Sequence, residues 1–136
     1  MLKNILAVVL GFILGGSVNM GLIMVSGSII PPPAGVDPTN MESLKASMHL
    51  FEAKHFIFPF LAHALGTLVG AFIAAKVASS HKMTFALVIG GFFMLGGITN
   101  AFLLPAPIWF IVLDIVVAYL PMAWLGGKLG AKKGTQ

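Results

Sequence analysis

Cysteine is absent from this chain. Disulfides, thiolate catalysis and Cys-ligated zinc are excluded with it. Arginine is absent too, so the basic charge rests on eight lysines scattered along the sequence. A net charge of +4 without a clustered basic face does not point to nucleic acid. Charge of either sign is scarce, at 9% of residues, and only four acids exist: Asp37, Glu42, Glu52 and Asp114. No Gly-rich phosphate loop, Ser-based triad or HExxH motif is present, so an enzyme is not expected. The alternating apolar–polar pattern of barrel strands is missing as well.

What the chain has instead is apolar length. Of its 136 residues 58% are hydrophobic, far more than a soluble domain of this size needs. Four apolar segments stand out, at about 5–26, 56–76, 84–104 and 108–129, each near the length of a bilayer crossing. Backbone in lipid must satisfy its own hydrogen bonds, so these segments are expected to be helices. The expected fold is all-α: a four-transmembrane-helix bundle forming a single integral membrane domain over 1–136, with a long loop at 27–55. The first segment follows Lys3 like a signal peptide, but its apolar run is too long and no small-x-small cleavage site follows. It is read as a retained helix.

The lysines indicate an orientation. If the segments zigzag, Lys3, Lys76, Lys82, Lys128, Lys132 and Lys133 fall on one side. Only Lys45 and Lys54 fall on the other, beside Asp37, Glu42 and Glu52. Lysines in short loops stay cytoplasmic, which puts both termini inside and the long loop outside, with the chain expected in the cell's inner (cytoplasmic) membrane.

Local signals fill in the chain. Pro31, Pro32 and Pro33 end the first helix. Thr39 and Glu42 have capping-box spacing, Thr39 as cap. Met41, Leu44, Met48 and Phe51 then recur at helical spacing, predicting a short amphipathic helix that runs on into the second span or breaks near His55 to Pro59. Within that span Ala62, Gly66, Gly70 and Ala74 form a small-residue stripe for close helix packing. Residues 12–19 (FILGGSVN) and 93–100 (FMLGGITN) share five of eight positions, which suggests two parallel two-helix repeats. Trp109 is placed to anchor at the interface. Pro121 should kink the last helix, Gly126, Gly127 and Gly130 should pack closely, and the tail from Ala131 should fray. A homo-oligomer burying the small-residue faces is expected.

Chemistry concentrates in one polar residue per span. His63 shares a helix face with Gly66, Thr67 and Gly70, so it points at other helices. Asp114 is the only acid inside a span and needs a partner, water or a proton there. Asn19 and Asn100 follow the two Gly-Gly pairs. Counted at ~1.5 Å per residue, all four lie roughly 6 to 11 Å below the outer boundary. They make a candidate polar centre for a proton, a small solute or an ion. The competing reading is a polar network that only sets helix register. Outside, His49, Glu52 and His55 place an ExxH pair and a further imidazole on one helical face, a weak metal-site pattern. Haem would need two facing imidazoles, and only His63 lies deep.

The runs PPPAGVD (31–37) and HFIFPFLAHALGTLVG (55–70) resemble a group of small bacterial four-helix integral membrane proteins. The resemblance implies the fold and no activity or cofactor. Three functions therefore stand: transport or permeation through the polar centre, a non-catalytic scaffold or accessory subunit, and a metal- or haem-binding membrane protein. Expected partners are the lipid bilayer, further copies of the chain and a small solute or ion.

Overall fold

The computed structural model describes residues 1–132; Lys133 and most of the tail expected to fray lie outside them. The described residues are helical with no strand. α1 spans Leu2–Ile29, α2 Met41–Ser47, α3 Ile57–Val77, α4 Lys82–Leu103, α5 Ile108–Val117 and α6 Leu120–Ala131. Four stretches are long and apolar enough to cross a membrane: Leu2–Ile29, Ala53–Val77, Lys82–Leu103 and Ile108–Ala131.

Burial is inverted relative to a water-soluble bundle. The core is made largely of alanine and glycine: Ala7, Ala62, Ala71, Ala75, Ala86 and Ala123 are each fully buried. Large apolar side chains point outward instead, with Phe12, Ile13, Leu95 and Val116 about half exposed or more. An apolar surface of this extent aggregates in water and is at home in hydrocarbon. Association in lipid then rests on close backbone packing, which small residues permit.

α3 is the central element. Its Gly66 and Gly70 meet Gly15 and Gly11 of α1 so closely that a Cβ on Gly70 would lie 2.7 Å from the Gly11 carbonyl oxygen. On its other side Gly126 and Gly130 of α6 press against Leu68, Ala71, Phe72 and Ala75. The stripes expected to join copies of the chain are thus used within it. The two similar octapeptides also pack differently. Gly15 is buried against α3 while Gly16 is open, whereas Gly96 is open and Gly97 lies under Tyr119.

The ends of the bundle are built differently. At one end Asn4 ties α1 to the α3–α4 turn: its Oδ1 accepts from the Ser79 N–H and hydroxyl at 3.0 Å, and its Nδ2 donates to Ser80 Oγ at 3.1 Å. At the other, Asn40 rather than Thr39 caps α2, its Oδ1 accepting from the N–H groups of Glu42 and Ser43. Thr39 is engaged elsewhere, donating N–H and hydroxyl to Asp37 Oδ1. The amphipathic segment is not one helix. α2 stops at Ser47, and short 3-10 turns at Met48–Leu50 and Ala53–Phe56 flank an extended Phe51. This break turns Met48 and Phe51 down onto Phe56 and Phe110, forming an aromatic cluster over the bundle end.

The last span is interrupted. α5 ends at Val117 and α6 begins at Leu120 with Pro121 in its first turn. Proline has no N–H, and its ring would strike the carbonyl four residues back, that of Val117. The helix breaks there through Ala118 and Tyr119.

Candidate functional site

The break in the last span creates the centre of the site. In an unbroken helix residues five apart point about 140° away from each other. The turn at Ala118–Tyr119 cancels that divergence, and Tyr119 Oη donates to Asp114 Oδ2 at 3.0 Å. From α3, His63 Nδ1 lies 2.9 Å from both Oδ1 and Oδ2 of Asp114. Against a carboxylate that nitrogen carries the proton, so the imidazole is oriented as in other carboxylate–histidine pairs. The His63 and Tyr119 rings stack with centroids 5.7 Å apart. Tyr119 itself lies over Gly97 of α4, where any Cβ would collide with its ring.

Asp114 is only 4% exposed, so its charge is desolvated. A lone carboxylate in that setting is costly, and two charge-assisted or hydroxyl hydrogen bonds offset the cost. The second ring nitrogen of His63, Nε2, has no hydrogen bond among the described residues.

Two cavities meet at this group. The larger, about 620 Å³, runs from Thr39 and Lys54 of the loop down to His63 and Asp114, between the second half of α1 and the ends of α4 and α5. The smaller, about 360 Å³, lies between α1 and α4 and is lined by Asn19, His63, Thr67, Thr99, Asn100 and Tyr119. His63, Gly97 and Asn100 border both. Thr67 Oγ1 is buried on the smaller cavity and has no hydrogen-bond partner among the described residues.

The four intramembrane residues singled out from the sequence therefore separate into two pairs. His63 and Asp114 are hydrogen-bonded. Asn19 and Asn100 line the smaller cavity with His63, but neither makes a side-chain hydrogen bond among the described residues. Tyr119 was missed. Its only signal was Pro121 two residues on, which marks where the helix must break. Thr67 was noted as a face neighbour of His63 and not as part of the site.

The outer metal pattern is corrected. His49, Glu52 and His55 do not share a helical face, because the helix ends before them. His55 Nδ1 instead accepts from the Glu52 N–H at 2.8 Å, capping the 3-10 turn, so its lone pair is taken. Among the described residues no three His, Asp or Glu side chains converge as a metal requires.

Compared with known proteins, the chain matches no family model, no curated protein and no solved structure.

Proposed function

We propose that this chain is a small multi-pass membrane protein that admits a small solute, an ion or a proton to a polar centre in the outer half of the bilayer. One observation carries the reading: the His63 ring, held by Asp114, stands where two cavities meet, and its Nε2 has no hydrogen bond among the described residues. A group fixed by one nitrogen and open at the other can accept and pass on a proton or hold a polar solute. The orientation proposed puts the end with Lys3, Lys76, Lys82 and Lys128 in the cytoplasm and the 27–55 loop outside. The larger cavity then faces outward.

A second reading rests on the completeness of the network around Asp114, which satisfies both carboxylate oxygens. On this reading the chain is a non-catalytic scaffold or accessory subunit, and the same residues fix packing. Proton flux into liposomes holding a pH-sensitive dye separates the two. Transport requires that His63→Ala and Asp114→Asn each lower flux at least tenfold. Flux unchanged from the parent, with thermal stability lowered, identifies the scaffold.

A further inference from the structure

The two cavities differ in chemistry, and that difference says what kind of molecule occupies them. The larger is walled mainly by apolar side chains, among them Met20, Ile23 and Met24 of α1, Leu104 of α4 and Phe110 and Ile111 of α5. Its 620 Å³ is room for about 20 groups of water size, at roughly 30 Å³ each. An ion or a proton needs neither that volume nor those walls, and an ion is poorly solvated by them. A hydrocarbon body suits both.

The smaller cavity is mixed. Asn19 and Asn100 bring amides to it and His63 the open side of its ring, beside Ala62, Gly66 and Phe93. Thr67 also borders it, but its Oγ1 is buried behind the wall, out of a ligand's reach, with no hydrogen-bond partner among the described residues.

We infer that this centre binds an uncharged amphiphile, its hydroxyl- or amide-bearing head in the smaller cavity against Asn19, Asn100 and His63, and its apolar body in the larger. Head and body join at His63, Gly97 and Asn100, the residues both cavities share. Charge argues against an ionic head. Among the described residues no lysine borders the smaller cavity, so an anionic head would enter without a counter-charge. Both oxygens of the acid at the centre, Asp114, are taken by His63 and Tyr119, so a cationic head would find no free acceptor on it. This inference deepens the function proposed above, for it uses the same centre and names the class of solute.

The test is equilibrium binding of radiolabelled 1-dodecanol to the full chain in nanodiscs, with empty nanodiscs as background. Saturable binding is expected, with dodecanoate and dodecylammonium competing far less well than unlabelled dodecanol. Asn19→Leu keeps a similar side-chain volume and removes the amide, and it should weaken binding about fivefold. Ala101→Phe removes no polar group and fills the larger cavity, and it should abolish binding. Absence of saturable binding, binding undiminished in Ala101→Phe, or preference for either charged probe overturns the inference. Proton flux measured on the same preparations keeps the two readings distinct. If flux depends on His63 and Asp114 while dodecanol does not bind, the amphiphile falls alone. If both fail, the polar centre falls with it.

Discussion

Replacing His63 by Ala and Asp114 by Leu, singly and together, tests whether the centre is one coupled unit. In the parent the carboxylate takes the imidazole at 2.9 Å on both oxygens and the Tyr119 hydroxyl at 3.0 Å. His63→Ala leaves Asp114, 4% exposed, with Tyr119 as its remaining partner. Hydrogen bonds to charged groups are worth ~1.5–3 kcal/mol, and removing one partner of a buried pair costs more than the pair itself contributes. The single change should therefore cost about 2–3 kcal/mol. Asp114→Leu strands a neutral imidazole N–H and a tyrosine hydroxyl, a loss of about 1–2 kcal/mol. In the double variant the buried charge and its donor go together. The expected cost is then well below the sum, giving a coupling of about 1.5 kcal/mol or more. Unfolding in mixed micelles by dodecyl sulfate titration, followed by fluorescence of Trp109 and Trp124, measures each free energy. Costs that add to within about 0.5 kcal/mol would refute the coupled centre, because independent sites behave that way.

Three further outcomes follow from the packing, the proposed orientation and the loop. Gly97→Ala drives a methyl into the Tyr119 ring and should cost about 1–3 kcal/mol by overpacking, whereas Gly96→Ala, with open space within 4 Å, should be neutral or slightly stabilising in the same titration. Because the chain has no cysteine, single cysteines report topology cleanly: Ser47→Cys should react with an impermeant maleimide on intact cells, and Ser80→Cys only after permeabilisation. The side-chain and backbone hydrogen bonds from Thr39 lower the Asp37 pKa below its ordinary value. A depressed carboxylate pKa contributes stability above the unfolded pKa of ~3.9 and loses it as pH falls through the folded value. The Thr39 amide shift in NMR should therefore titrate below pH ~3.9, and Thr39→Val should raise that midpoint toward it.

The four spans were legible because their signal is one of composition and length. Lipid imposes helical backbone on any apolar stretch of about 20 residues, whatever its neighbours. The inward face of α3 was legible for a related reason, since Ala62, His63, Gly66 and Gly70 recur at the helical period. Depth could be counted too, which brought His63 and Asp114 to one level before any packing was known. Two features of the loop could not be read from pattern. Thr39 and Asn40 are both good caps, and the choice of Asn40 depends on Asp37 having already taken the Thr39 donors. The amphipathic segment leaves the helix after Ser47, and Met48 and Phe51 pack on Phe56 and Phe110, partners that the local sequence does not contain.

Similar octapeptides do not imply similar use, as Gly15 and Gly97 show by occupying different positions in the shared motif. Length, apolarity and the period of small residues thus determined by themselves that this chain makes four bilayer-length helices with α3 turned inward, because the solvent acts on each segment alone. Only the tertiary structure decided that Tyr119 completes the Asp114 site, and that, among the described residues, Asn19 and Asn100 border a cavity without bonding and Thr67 lacks a partner. Those outcomes depend on how each helix is rotated about its axis and where Pro121 interrupts one. Rotation is set by the summed contacts of neighbouring helices, which no local stretch of sequence contains.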